Sequence, residues 1–189
     1  MIKRGWLVIL AAAILIAAVV WFFRGDRLAP GHRPVTVALY FLRYDPDTNQ
    51  VHLEEVQRTL ESQPDKRSNP ETTPTVDRLR AAIEALLAGP TPQERARGLH
   101  SEIPAGTRLR NLRVNRGIAF VDLSAAFESG GGSLSVRARV AQLLYTATQF
   151  PEIADRVRIL IEGEARETIT GEGLIVSEPL SRREYPTTL

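Results

Sequence analysis

Thr107-Arg108-Leu109-Arg110-Asn111-Leu112-Arg113-Val114, then Asn115-Arg116-Gly117, then Ile118-Ala119-Phe120-Val121-Asp122-Leu123: apolar and polar residues alternate, a short Asn/Gly turn comes next, and a second β-rich run begins. Alternation with period two puts one face of a strand on a core and the other in water. A turn this short joins antiparallel neighbours, so the stretch predicts a β-hairpin. On its C-terminal side the glycine-rich loop Ser129-Gly130-Gly131-Gly132-Ser133 leads into a helix whose apolar face is Val136, Val140, Leu143, Leu144 and Ala147, stopped near Phe150 by Pro151. Val157-Arg158-Ile159-Leu160-Ile161 predicts the next strand. Gly163-Glu164 turns it toward Glu167-Thr168-Ile169, and Leu174-Ile175-Val176 adds a last short strand or lies along the domain.

On the N-terminal side, Val35-Thr36-Val37-Ala38-Leu39-Tyr40-Phe41 predicts a first strand. The turn Asp45-Pro46-Asp47 leads to a second, antiparallel one at Val51-His52-Leu53-Glu54-Glu55-Val56. Residues 61–73 lack apolar periodicity and read as loop. Val76, Leu79, Ile83, Leu86 and Leu87 recur at helical spacing, with Thr73 or Thr75 to cap the start, Pro74 in the first turn and Gly89-Pro90 as the stop. A polar connection then reaches the hairpin. The order β-β-α-β-β-α-β predicts an α/β (α+β) domain with two helices packed on one mixed sheet.

Trp6 to Phe23, WLVILAAAILIAAVVWFF, is an uncharged apolar run flanked by Lys3, Arg4 and Arg24. A spanning helix needs about 20 mostly apolar residues, so the run predicts a transmembrane helix with Trp6 and Trp21 at the headgroups. The core is longer than a cleaved signal peptide's and ends in bulky Trp21-Phe22-Phe23, which favours an uncleaved anchor. Lys3 and Arg4 keep the short N-terminus inside, so the residues after Arg24 lie outside the cytoplasm, on a single-pass protein of the cytoplasmic membrane. The expected layout is residues 1–5 as a cytoplasmic N-terminus and 6–23 as the signal anchor. Residues 24–34 form a linker, 35–185 an extracytoplasmic domain and 186–189 a tail.

The chain has 189 residues, which leaves about 155 after anchor and linker, enough for one domain with a full core. Cysteine is absent, which removes disulfides, thiolate metal sites, a cysteine nucleophile and lipid attachment at an N-terminal cysteine. The formal charge is +2, and setting aside Lys3 and Arg4 brings the rest to about zero, so the sequence does not call for nucleic acid.

Leu86-Leu87-Ala88-Gly89-Pro90-Thr91, then Gly98-Leu99, then Ile103-Pro104-Ala105-Gly106-Thr107 form an ordered set. It continues through Gly117 to Ser124 with Phe127, Gln142-Leu143, Thr146, Phe150-Pro151, the strand from Val157 to Gly163 and Ser177-Glu178-Pro179-Leu180-Ser181-Arg182. This set resembles the GerMN family, the sporulation and spore germination domain, over roughly Val35 to Arg182. The resemblance implies a small extracytoplasmic domain, commonly membrane-tethered, used in envelope or sporulation-related assembly and not known as a catalyst. It implies no cofactor. Many relatives are lipoproteins, whereas this chain has no cysteine to modify, and one copy of the domain fits where tandem copies occur.

The motif residues read as architecture. Gly89 and Pro90 stop a helix, Pro104, Gly106 and Gly117 suit turns, and Asp122 and Ser124 can hydrogen-bond the turn after their strand. Two chemical readings stand beside this one. Gly130, Gly131, Gly132 and Ser133 open a helix with Arg137 and Arg139 in its first turns, where an anionic group such as a peptidoglycan carboxylate could dock. The alternative there is a flexible connector capped by Ser133 or Ser135. Asp122 and Glu162 fall near strand ends and could pair as the carboxylates of an anchored wall hydrolase. His32, His52 and His100 lie in no catalytic motif. The leading expectation is a non-catalytic envelope module that binds another envelope protein or peptidoglycan and can assemble as a homo- or hetero-oligomer.

Overall fold

The computed structural model describes residues 33–62, 74–169 and 174–189. The anchor reading of Trp6 to Phe23, the linker up to residue 32 and the loop reading of residues 63–73 lie outside them. Among the described residues no helix is long and apolar enough to cross a membrane.

Strands β1 (Arg33–Asp45) and β2 (Gln50–Ser62) form one antiparallel hairpin in unbroken register from Arg33↔Ser62 to Asp45↔Gln50. Both run longer than their apolar cores suggest, and β1 begins inside the stretch read as linker. At the turn the Asp45 carboxylate accepts the Asp47 N–H at 2.9 Å and the Thr48 hydroxyl at 2.8 Å. Helix α1 (Pro74–Leu87) buries Leu79, Ala82, Ile83 and Leu86, the stripe its spacing predicts. A second helix, α2 (Pro92–Ala96), sits in the stretch that reads as a polar connection. β3 (Leu99–His100) then pairs with Leu42 and Arg43 of β1.

The hairpin of the opening stretch is β4 (Leu109–Asn115) and β5 (Ile118–Leu123). Its tip places Arg116 at φ 51° and Gly117 at φ 75°, the two left-handed residues of a type I′ turn. A 3-10 turn (Ala125–Glu128) and the glycine-rich loop carry the chain to α3 (Ser133–Ala147), and β6 (Arg156–Ile161) returns parallel to β5. Four short strands close the chain: β7 (Glu164–Ala165) on β6, β8 (Thr168–Ile169) on β9 (Leu174–Ile175), and β10 (Leu180–Ser181) on β6.

The fold is α+β, but the single mixed sheet of the sequence reading is corrected. The strands divide into a three-stranded antiparallel sheet β2-β1-β3, a five-stranded mixed sheet β10-β6-β5-β4 with β7 on β6, and the two-stranded β8-β9. β1 has no long strand on its second edge because α3 supplies the hydrogen bonds instead. The Gln149 side-chain amide exchanges two bonds with the Ala38 peptide (2.8 and 3.0 Å), Thr146 Oγ1 accepts from the Tyr40 N–H (3.2 Å), and Gln142 Nε2 donates to the Tyr40 carbonyl (3.1 Å). Gln142 and Thr146 lie four residues apart on one face of α3 and Gln149 follows just past its end, so a row of polar side chains does the work of a strand.

Arg33–Leu189 is one compact unit, with a core of Leu39, Phe41, Ile83, Val121, Phe127, Leu143 and Ile159 among others, closed by its own side chains. Residues 187–189, read as a tail, lie along β2: the Leu53 N–H donates to the Thr187 carbonyl at 2.8 Å and the Leu189 N–H to Val51 at 2.9 Å.

Candidate functional site

The glycine-rich loop borders a cleft of about 390 Å³ between the start of α3 and the β1–β3 corner, with Leu42, Val51, His100, Glu102 and Leu134 in its walls. The loop is held from beneath. Arg139, almost fully buried, donates from Nη1 to the carbonyls of Phe127 (2.8 Å) and Ser129 (3.0 Å), and from Nη2 to Gly130 (2.9 Å) and Ser135 Oγ (3.2 Å). Burial lowers the pKa of this guanidinium, which the nearby Glu102 carboxylate partly offsets. Gly130 and Gly131 have φ of 59° and 84°, and a Cβ on Gly131 would meet Arg139 Nη2 at 2.5 Å.

Arg139 ties the loop down, and the N-cap of the helix it feeds is Gly132, with no side-chain cap bond, in place of the Ser133 or Ser135 of the sequence reading. Arg139 donates to three carbonyls and to the Ser135 hydroxyl, Arg137 lies 6.0 Å from the centroid of the Tyr185 ring, and the Ser135 hydroxyl donates to Glu102, which places a carboxylate beside the helix start.

Asp122 and Glu162 do come together, at the C-terminal ends of the parallel strands β5 and β6. Arg110 Nη1 lies 3.6 Å from Asp122 and 3.1 Å from Glu162. Each carboxylate also accepts a backbone bond, Asp122 from the Gly163 N–H (2.8 Å) and Glu162 from the Ala125 N–H (3.0 Å). The arrangement latches two strand ends to the turns that leave them. Among the described residues no histidine joins it: His52 bonds Thr188 and His100 borders the cleft. Among the described residues no group of three or more His, Cys, Asp or Glu could hold a metal ion.

The family model for sporulation and spore germination, Germane, matches residues 38–167. The chain belongs to this family. Solved structures agree with the Germane assignment. The tandem GerMN domains of the sporulation protein GerM from Bacillus subtilis match with a TM-score of 0.57 and 24% identity, over 80% of this chain and 48% of that one. The first GerMN domain of GerM alone matches at 0.52 and 25%, over 79% of this chain and 98% of that one. A candidate lipoprotein from Clostridium perfringens shares the fold at 0.53 and 18%, over 80% and 89%. The chain thus spans about half the tandem GerM structure. No curated protein matches it.

The remaining Germane motif residues sit in turns. Gly89, at φ 80°, ends α1 and its carbonyl accepts from Arg58 at 3.1 Å, while Pro90 is buried. The Pro104 carbonyl accepts both the N–H (3.2 Å) and the hydroxyl (2.7 Å) of Thr107 across Gly106, whose φ is 84°. Ser124 Oγ accepts the Arg108 N–H at 3.0 Å, which carries the β4–β5 pairing past a bulge between Leu109 and Asn111.

Sequence reasoning missed the pair behind α2. Thr91 and Glu94 form a capping box, and the largely buried Glu94 carboxylate is bridged by Arg58 Nε and Nη2. The Arg58 hydrogen bond, aided by the Thr91 N–H, holds the Glu94 carboxyl below the usual range. Thr-Pro-Gln-Glu at residues 91–94 was the available signal, since Ser/Thr-x-x-Glu with Pro at the first helical position marks a helix start.

Proposed function

We propose that this Germane domain is a non-catalytic assembly module. In this reading Trp6 to Phe23 tethers it to the cytoplasmic membrane, and it works outside the cytoplasm by binding another envelope protein or peptidoglycan. The observation that carries it is the use of polar side chains to hold the fold itself: Arg110 bridges Asp122 and Glu162, both terminal nitrogens of Arg139 bind the glycine-rich loop and its neighbours, and Gln142 holds a strand edge. A glycosidase needs one carboxyl free to protonate a leaving group and a second facing the sugar, and here both carboxylates face an arginine and a peptide N–H. A fold shared with a candidate lipoprotein and with the sporulation protein GerM supports an envelope setting.

The test pairs cross-linking of the full chain in its own membranes, with peptide identification of the products, and muropeptide release by the purified protein. We expect cross-links to envelope proteins or wall peptides, and no release by either the parent or Asp122→Asn. Release that Asp122→Asn abolishes while its melting temperature stays unchanged would establish the wall hydrolase instead.

A further inference from the structure

The mixed sheet has a second face. Leu112, Val121 and Ile159 lie in one row across β4, β5 and β6 and are buried, so alternation puts the rows between them on the opposite side. Those rows are Arg113–Phe120–Arg158 and Asn115–Ile118–Arg156, followed toward the strand ends by Asn111–Asp122–Leu160, where Leu160 is buried and Asp122 lies 3.6 Å from Arg110. In the first two rows Phe120, Ile118 and Arg158 are half-buried and Arg113, Asn115 and Arg156 are exposed, so that part of the face is open to solvent. Arg116 stands exposed at the adjoining hairpin tip. Four arginines therefore surround a small apolar pair on the strand surface.

Their charges are largely uncompensated. No carboxylate of the described residues comes within 4.0 Å of Arg113, Arg116 or Arg158, and Arg156 has only its exposed neighbour Asp155 at 3.5 Å. Arg113 lies 5.4 Å over the Phe120 ring. Elsewhere on this domain Arg43, Arg58, Arg97, Arg110 and Arg166 pair with acids, whereas Arg95, Arg108 and Arg137 have none within 4.0 Å among the described residues. What sets this face apart is that four arginines adjoin one another around Ile118 and Phe120 on neighbouring strands.

We infer that this face docks on anionic phospholipid, with Arg113, Arg116, Arg156 and Arg158 at headgroup phosphates and Ile118 and Phe120 at the level below. An apolar centre within a cationic rim matches the apolar and anionic layers of a bilayer surface. Geometry adds a second argument, which rests on the proposed anchor. Only nine residues, 24–32, separate Phe23 from β1, and even fully extended they reach about 30 Å. A domain held that close meets the membrane at high effective concentration, so a weak face is enough to orient it.

The test uses residues 33–189, which close their own core, so that binding is read without the anchor. Cosedimentation is measured with vesicles of phosphatidylcholine alone and with about 30% phosphatidylglycerol added, at low and physiological salt. We expect binding to the anionic vesicles only, weakened by salt. Arg113→Gln with Arg158→Gln should lower partitioning about fivefold per residue, about twenty-fivefold together. The charge-matched control Arg97→Gln with Arg137→Gln should change it less than twofold, with folding of all variants verified by circular dichroism. No vesicle binding at low salt, equal loss in the control, or capture by soluble polyphosphate without vesicle binding each overturns the inference. Carbonate extraction of the full chain from membranes reports on the anchor separately, so loss of one idea is not mistaken for loss of the other.

Discussion

Gly131 is where a single atom decides the local structure. A Cβ there would stand 2.5 Å from both Arg139 Nη2 and Ser135 Oγ, at a φ of 84° that L side chains rarely adopt. Gly131→Ala should therefore cost roughly 1–3 kcal/mol in urea unfolding, whereas Gly132→Ala, with open space and an extended φ of −88°, should cost far less. Glu94 sets a pH dependence. Its folded carboxyl lies below the ordinary value because Arg58 and the Thr91 N–H favour the charged form. The resulting stability is present above the unfolded glutamate pKa of about 4.3 and is lost as pH falls through the folded value. Glu54, lowered by Arg43, acts in the same direction. We expect the urea midpoint to fall more steeply below about pH 4.5 in the parent than in Glu94→Gln, which starts lower at pH 7. Arg58→Ala, which strands the buried carboxylate, should be the more damaging change, by about 3–5 kcal/mol.

At the scale of elements, α3 explains why there is not one sheet. Gln142 is fully buried; its Oε1 accepts from the Glu102 N–H (2.9 Å) and the Ser101 hydroxyl (3.3 Å) while its Nε2 serves Tyr40. Gln142→Leu keeps the volume and orphans these partners, for an expected loss of about 2–5 kcal/mol and faster amide exchange at Glu102. Gln149→Ala, at a half-buried site where water can replace the amide, should cost about 1 kcal/mol. The long elements were legible because period two in β4–β5 and period 3.6 in α1 report one-sided burial directly. The sheet division was not: Gln142 and Thr146 look like the wet side of a helix until β1 is known to present its edge there. β10 was hidden by its two-residue length, and residues 187–189 pair with β2 through backbone atoms that carry no sequence signal. For the candidate site, the sequence brought forward Asp122 and Glu162, but the decisive partner, Arg110, sits on a third strand and emerges only from the register.

For the molecule as a whole, the proposed anchor predicts on which side of a membrane the domain lies, and the composition offers a direct measurement. With no cysteine anywhere in the chain, an introduced thiol is the sole target for a maleimide reagent. Glu152, exposed in the turn after α3 and without an ion pair among the described residues, accepts such a probe without disturbing the core. Two cations on the short N-terminal side against Arg24, Arg27 and the opposing Asp26 on the other favour an outward domain. Full-length Glu152→Cys in intact spheroplasts should then react with a membrane-impermeant maleimide as completely as after permeabilisation. Labelling that appears only after permeabilisation would put the domain in the cytoplasm. The wall would then be out of reach, and an arginine face on the sheet would meet the inner leaflet in place of the outer one.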